Sequence, residues 1–293
     1  MKALWYRWWH PWIFLIPTLI GLFVFRIGPI AFAFFMSFTD WNIMSHPRWV
    51  GLANYRELFQ SDYFKEILAN TFEFSAIYVS GVMVSGLILA LLVNRKLRGV
   101  RIFRTMYFTP VVTSAVAVGI VWSWMLSPRY GIFNFVLEKL LGFEPPSWLG
   151  DEIWALPTVA FVQVWKMAGY YMIIFLAGLQ HIPKHLYEAA KIDGASPWQS
   201  FWKITLPLLS PTTFFAFTIA IIDSFRNFEI IYTMTQGGPQ YATTTLVYSV
   251  YVNAFVFYRM GYASAVAFVL LAIVAFLTWL NFLLKKHWVE YQY

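Results

Sequence analysis

The chain has 293 residues, of which 60% are hydrophobic, 21% aromatic and only 12% charged, with a mean hydropathy of +0.60. A soluble domain of this length does not have such a composition; a multi-span membrane protein does. The absence of cysteine excludes disulfides, cysteine metal sites and a thiol nucleophile, and the net charge of +7 is informative through its distribution rather than as a nucleic-acid signal.

Taken in order, Trp12 to Phe38 is the first long apolar run, after Lys2 and Arg7. It is longer than a signal-peptide core and has no small-residue cleavage site, so an uncleaved spanning helix is expected over 12–38, with Arg26 near its middle. Residues 39–69 are mixed and polar, and a second span is expected over 70–94. Gly81 and Ser85 lie four apart there, a face suited to close helix contact. The run 94–104 is basic and carries no acid. The third span is expected over 105–127, followed by a loop at 128–152 in which Ile132 to Leu141 has the pattern of an amphipathic interfacial helix. The fourth span is expected over 154–179 and the fifth over 208–230. Thr245 to Tyr258 is apolar but too short to cross, so 245–258 is expected to be an external interfacial or re-entrant helix. The sixth span is expected over 262–284.

Between the fourth and fifth spans, 180–207 is polar and has the marks of two short helices with a hinge. Pro183 suits a first helical position, and Asp193-Gly194 is a turn dipeptide. Ser196-Pro197-Trp198-Gln199 restarts the helix, with Ser at the N-cap, Pro at N1 and Gln completing a capping box. Pro207 is expected to end it. Orientation follows from counting the Lys and Arg residues, which number 21 in all. The side with both termini, 94–104 and 180–206 holds Lys2, Arg7, Arg95, Lys96, Arg98, Arg101, Arg104, Lys184, Lys191, Lys203, Lys285 and Lys286. The other side has only Arg48, Arg56, Lys65, Arg129, Lys139 and Arg259 in longer loops; Arg26, Lys166 and Arg226 sit in spans. The positive-inside rule therefore puts both termini and the 180–207 loop in the cytoplasm. A seventh span at 245–258 would carry Lys285 and Lys286 outside, which argues against it.

Enzyme chemistry finds little support. No GxxxxGK[ST] phosphate loop occurs, so the chain cannot hydrolyse ATP by that route. His181 and His185 have i, i+4 spacing, but no HExxH glutamate accompanies them and Pro183 intervenes, so no metal site is expected. No Ser/His/Asp grouping stands out.

The run Glu188-Ala189-Ala190-Lys191-Ile192-Asp193-Gly194-Ala195, with Phe201, Ile204, Leu206-Pro207 and Pro211 after it, resembles the EAA loop of permease subunits of binding-protein-dependent ABC importers. The resemblance extends to Trp49-Val50-Gly51-Leu52-Ala53-Asn54-Tyr55, to Arg104-Thr105-Met106-Tyr107-Phe108-Thr109-Pro110 and to Gly131-Ile132-Phe133-Asn134. Leu176 to Pro183, Thr235-Gln236-Gly237-Gly238-Pro239 and Gly261-Tyr262-Ala263-Ser264-Ala265 complete it, so nearly the whole chain is covered. It is most similar to the carbohydrate-uptake branch, which includes the maltose, multiple-sugar and glycerol-3-phosphate importers. The chain lacks the large external insertion and extra N-terminal spans of the maltose system's larger permease, and so resembles the compact six-span members.

The resemblance implies an all-α membrane protein of six transmembrane helices with the type I ABC importer permease fold, as one permease domain over 1–293. It implies a bacterial or archaeal cytoplasmic (inner) membrane location. The implied partners are a second, different permease, an ABC ATPase dimer that binds ATP and Mg, an extracytoplasmic sugar-binding protein, lipid and a di- or oligosaccharide; no nucleic acid is expected and no cofactor in this chain. Glu188, Ala189, Ala190, Asp193, Gly194 and Ala195 would couple to the ATPase. Glu188 and Asp193 offer carboxylates, the alanines keep the surface slim and Gly194 permits the turn; Glu188 also stands at i, i+3 from Lys191.

Charged residues inside spans are the candidates for the path. Lys166 in span four is costly in lipid and is expected to face a cavity or partner, with Gln163 beside it and Trp165 and Tyr170 as stacking faces for sugar rings. Asp223, Arg226 and Glu229, three apart, are expected along one side of the fifth helix, with Asn227; Asp223 would stand roughly 22 Å above residue 208. They either line the path or pair with one another where the span ends. An importer of glycerol phosphate, a polyol or an amino acid is the neighbouring alternative. A secondary transporter predicts internal repeats with matching broken helices, and neither 49–70 nor 180–207 recurs. A membrane scaffold would not need so specific a loop.

Overall fold

The computed structural model describes residues 10–94, 99–142 and 144–289. Lys2, Arg7, Arg95, Lys96 and Arg98, on which part of the charge count rests, lie outside the described residues. In chain order the helices are α1 (His10–Leu22), α2 (Gly28–Met36), α3 (Ala53–Gln60), α4 (Asp62–Val93), α5 (Val100–Val112), α6 (Ala115–Met125), α7 (Ile132–Leu141) and α8 (Glu152–His181). They continue with α9 (Lys184–Ile192), α10 (Pro197–Ser200), α11 (Leu206–Leu208), α12 (Ser210–Ser224), α13 (Glu229–Met234), α14 (Leu246–Tyr251) and α15 (Met260–Leu284). One small antiparallel hairpin joins β1 (Thr39–Asp40) to β2 (Arg48–Trp49). Wider π turns at Phe23–Ile27 and Phe201–Thr205 link successive helices without a break, and a third at Val252–Val256 extends α14.

Among the described residues four helices are long and apolar enough to cross a membrane, and up to six if each of two bent pairs counts as one span. The bent pairs are where the expected spans differ from the structure. The expected third span is a helix broken at Thr113-Ser114, with α5 and α6 bent by 99°; Thr113 and Ser114 take extended ψ values of 143° and 133°. The expected fifth span is reached through a 64° bend between Pro197–Leu208 and α12, and it ends at Ser224 rather than near 230. The helix Pro197–Leu208 ends one residue after Pro207. The π turn just before it widens the ring of hydrogen bonds to Leu206 N–H→Phe201 C=O, where a proline lacks its own donor and would crowd the preceding turn. The helix over Leu246–Val256 reaches only about 16 Å at 1.5 Å per residue, short of a hydrocarbon core.

The described residues fall into two compact units. In the first, 1–61 with 249–269, two stretches far apart in sequence close over one turn. Asn54 Nδ2 donates to the carbonyls of Ser37 and Thr39, both at 2.9 Å, and Tyr55 Oη donates to Ser37 Oγ at 2.8 Å. At Gly261 an added Cβ would collide with the Thr39 carbonyl oxygen, so only glycine admits this approach. Arg259 Nη2 bridges both Glu57 oxygens at 2.8 and 2.7 Å and its guanidinium lies 4.6 Å from the Tyr262 ring centre.

The second unit, 62–248 with 270–293, is built around α8, the most deeply buried of the spanning helices. Its small residues let neighbours approach, the means by which helices associate where lipid removes the usual apolar driving force. Cβ atoms added at Gly81 and Gly86 of α4 would stand 2.6 Å from Val164 and from Tyr171 of α8. Gly169 admits the α5 backbone at Tyr107, and Gly178 admits Thr212 and Leu209 beside α12. Between these contacts Phe74, Tyr78, Tyr171, Met172 and Phe175 are almost completely buried. Ser75 Oγ donates to Ser224 Oγ at 2.9 Å and Asn281 Nδ2 to Thr218 Oγ1 at 2.8 Å, tying α4 and α15 to α12.

The Gly169 contact gives a test. Because the obstacle is backbone rather than a movable side chain, Gly169→Ala is expected to destabilise the protein by about 1–3 kcal/mol, measured as a lower thermal midpoint in detergent. Gly21→Ala, which meets nothing within 4 Å, is expected to leave the midpoint unchanged.

Candidate functional site

Two features carry chemistry, and both are anchored on α8. The first is the hairpin that follows it. Ile182 and Pro183 are extended, so Pro183 precedes α9 instead of occupying its first turn. The helix closes on Asp193, and Gly194 has φ +78°, the left-handed conformation that glycine supplies at a helix end. Gly194 N–H donates to Lys191 C=O at 3.2 Å and Ala195 N–H to Ala190 C=O at 2.8 Å. Ser196 then caps α10 reciprocally: Gln199 N–H donates to Ser196 Oγ at 3.2 Å and Ser196 N–H to Gln199 Oε1 at 2.8 Å, with Pro197 in the first turn. Tyr187 Oη and the buried Thr205 Oγ1 share a hydrogen bond of 2.9 Å, which stitches the two arms together. Glu188, Ala189, Asp193 and Gly194 are exposed, and Ala190 and Ala195 are half-buried. Ile192, Trp198 and Trp202 are exposed beside them at 86%, 68% and 50%, a mixed acidic and apolar face that lacks any covering from the described chain. His181 bonds the Ala177 carbonyl at 2.7 Å, and no group of three or more potential metal-ligating side chains occurs among the described residues.

The second feature is a polar cavity of about 350 Å³ in the apolar helix cluster, lined by Gln163, Lys166, Asp223, Arg226, Asn227 and Glu229 together with Tyr78, Ala115, Met167, Phe228 and Ile230. Lys166 is only 7% exposed. Its Nζ donates to the Val111 carbonyl at 3.1 Å, one of the carbonyls freed where α5 breaks, and this bond leaves further N–H groups for the cavity. Gln163 Nε2 donates to Asn227 Oδ1 at 2.7 Å, and Asn227 Nδ2 to the Asp223 carbonyl at 2.9 Å, closing the end of α12. Gln163 Oε1 is buried without a hydrogen-bond partner. The hydroxyls of Tyr78 and Tyr171 are buried without a hydrogen-bond partner.

The structure thus brings together Gln163, Lys166, Asp223, Arg226, Asn227 and Glu229, although not as one helical stripe. The helix ends at Ser224, the chain turns through Phe225–Asn227, and Glu229 opens α13, where a carboxylate suits the helix N-terminus. Trp165 and Tyr170 lie elsewhere. Trp165 is 43% exposed and packs edge-on against Trp122, with ring centres 5.3 Å apart; Tyr170 packs against Tyr171. The aromatic rings in the cavity wall are those of Phe228 and Tyr78, both of which sequence reasoning missed. Phe228 sits in a non-helical turn, outside any periodic pattern, whereas Tyr78 is in helical phase with Gly81 and Ser85 of the same α4 face and was findable.

Comparison with known proteins gives a consistent family. The model of the binding-protein-dependent transport system inner membrane component matches residues 82–289. The trehalose/maltose transport system permease of Thermococcus litoralis is 37% identical over 250 residues, covering 85% of this chain and 83% of the relative. The sn-glycerol-3-phosphate transport system permease of Yersinia pestis is 33% identical over 288 residues, covering 97% and 96%. Among solved structures, a chain of a bacterial ABC transporter that imports the acidic polysaccharide alginate superposes with a TM-score of 0.85 at 25% identity, over 96% of both chains.

The hairpin geometry predicts that Ser196→Ala, by removing the reciprocal cap, costs about 0.5–2 kcal/mol locally. Amide exchange at Gln199 and Ser200 is expected to speed up correspondingly, while that in the middle of α8 does not change.

Proposed function

The chain belongs to the family of inner membrane components of binding-protein-dependent transport systems, and from that premise we propose that it forms half of a sugar translocation path driven by a separate ATPase. It is a multi-pass protein of the inner membrane. Six crossings with both termini in the cytoplasm are the reading favoured by the basic residues of 180–206 and the C-terminal end, with the two bent pairs counted as one span each. A second, different permease completes the path, a binding protein delivers the solute from outside, and an ATPase dimer carrying ATP and Mg docks on the hairpin.

One observation carries this reading: α8 holds two polar cavity residues, Gln163 and Lys166, and runs without interruption to the exposed hairpin. A displacement applied at Glu188–Ala195 therefore reaches the cavity through one stiff element. Closure of the ATPase moves the hairpin, the path opens to the loaded binding protein, and hydrolysis resets it. The polar cavity supplies both donors and acceptors to solute hydroxyls, and a relative named for trehalose and maltose supports a di- or oligosaccharide. The relative named for sn-glycerol 3-phosphate supports the second reading, a phosphorylated polyol.

Coupling is tested on protein purified gently from its host, whose stoichiometric companions are identified and then assayed together for ATP hydrolysis in lipid. Proline cannot adopt φ +78° and has no N–H for the Lys191 carbonyl. Gly194→Pro is therefore expected to drop hydrolysis stimulated by the loaded binding protein to its unstimulated level. Undiminished stimulation, or a chain that purifies and transports alone, would refute the coupling role.

A further inference from the structure

The cavity's titratable groups distinguish between the two readings of the solute. They include two cations, Lys166 and Arg226, and two carboxylates, Asp223 and Glu229, so their formal charges cancel. None of the four forms an ion pair with another. Lys166 and Glu229 lie within electrostatic reach of each other, as do Asp223 and Arg226, so charges of both signs share one lining without closing on each other. The cations only donate hydrogen bonds and the carboxylates only accept them. A ligand that satisfies all four must do both, as adjacent hydroxyls do. A phosphate or carboxylate ligand accepts only. It would engage Lys166 and Arg226 and leave Asp223 and Glu229 facing a like charge, where a low dielectric makes the repulsion far stronger than in water.

The lining also includes an aromatic ring held in place by its neighbours, that of Phe228. The Phe228 ring stacks with Tyr232 at 5.4 Å and with Tyr248 at 6.1 Å, interplanar angles 25° and 22°, and Tyr248 Oη donates to the Gln236 carbonyl at 2.7 Å. An apolar ring together with mixed donors and acceptors in one lining matches a sugar ring, which presents C–H groups on its faces and hydroxyls at its rim.

We propose that this cavity selects an electroneutral saccharide and discriminates against anionic solutes, its balanced carboxylates being the discriminating element. The proposal rests on the reading of the cavity as part of the translocation path. It tells this chain apart from relatives that share its fold but are named for anionic cargo, sn-glycerol 3-phosphate or alginate.

The test uses the whole complex in lipid nanodiscs, without binding protein, incubated with an equimolar panel. The panel holds maltose, trehalose, cellobiose and raffinose as neutral probes, sn-glycerol 3-phosphate and digalacturonate as anions, and glutamine as a zwitterion. Retained probe is quantified by mass spectrometry. At least one neutral saccharide is expected to be retained above every anion, and Phe228→Ala to lower that retention about tenfold, the loss of one well-made contact. The double variant Asp223→Asn, Glu229→Gln leaves two unopposed cations. It is expected to lose the neutral probe and to gain sn-glycerol 3-phosphate about tenfold, a gain that a misfolded protein does not show. If the wild type retains an anion or glutamine at least as well as every neutral saccharide, the electroneutral class is wrong while the path stands. If no probe is retained by the wild type, or if retention is indifferent to all these variants, the cavity is not the path and both readings fall.

Discussion

Everything in the larger unit depends on how closely other helices come to α8. In lipid there is no hydrophobic gain from pressing one apolar helix on another, so association rests on contact at short range. The contacts made through Gly81, Gly86, Gly169 and Gly178 supply it on several sides of one helix. They fix α4, α5 and α12 against a common axis. The buried rings of Phe74, Tyr78, Tyr171 and Phe175 then fill the space that the glycines leave between the backbones, which is why neither set would pack without the other.

Broken helices impose the complementary constraint. Backbone groups that leave the helical ladder at membrane depth must find partners inside the protein. Lys166 serves the Val111 carbonyl at the α5 break and Asn227 the Asp223 carbonyl at the end of α12. The turn after α13 is held the same way. Thr243 Oγ1 donates to the Gly238 carbonyl and Thr244 Oγ1 to that of Gly237, while Asn70 Nδ2 donates to the carbonyls of Tyr241 and Thr244. Two of the residues that satisfy broken backbone, Lys166 and Asn227, are also cavity residues. This is a physical consequence of the same rule: irregular backbone is tolerated where it borders a polar space, and the side chains sent to pair with it are the polar ones available to a ligand.

How much of this was legible in the sequence depended on the range of the interactions involved. The hairpin was almost fully legible because its signals are local: Asp193-Gly194 and the Ser196/Gln199 pair specify a turn and a cap through neighbours within three residues. Pro207 marked the helix end to within one residue, but the π turn that accommodates it has no one-residue signature. The polar members of the cavity stood out as charges in apolar runs, and burial cost alone marked Lys166. Trp165 was misplaced although helical phase was enough to exclude it, since two residues at about 100° each turn it well away from Gln163. Tyr170 shares that phase with Lys166, one turn on, but lies beyond the end of the cavity, a matter of depth that periodicity does not encode. Asp223, Arg226 and Glu229 do line one cavity, but not along one side of the fifth helix as expected: the chain leaves the helix at Ser224, and the residues come from the helix, a turn and a new helix.

The stiffness of the connection between hairpin and cavity is uneven, and that unevenness has mechanical meaning under the proposed function. From Lys166 to the end of α8 the chain is unbroken helix of about 22 Å, held by packing at Gly169 and Gly178. Between α8 and α9 lie only Ile182 and Pro183, both extended, and one of them has its φ fixed by its ring. A two-residue link of this kind resists stretching while it permits a change of angle. The second arm behaves differently, because Pro197–Leu208 is continuous through its π turn and meets α12 at a 64° bend. The Tyr187–Thr205 bond makes the arms move as one. A push on the hairpin is therefore delivered along two routes, axially to Gln163 and Lys166 by α8 and as a rotation about the 64° bend to Asp223 by α12. Since the two routes end on different helices lining one cavity, unequal motion along them would change the separation of Lys166 and Asp223. That converts a cytoplasmic displacement into a change in the site's shape.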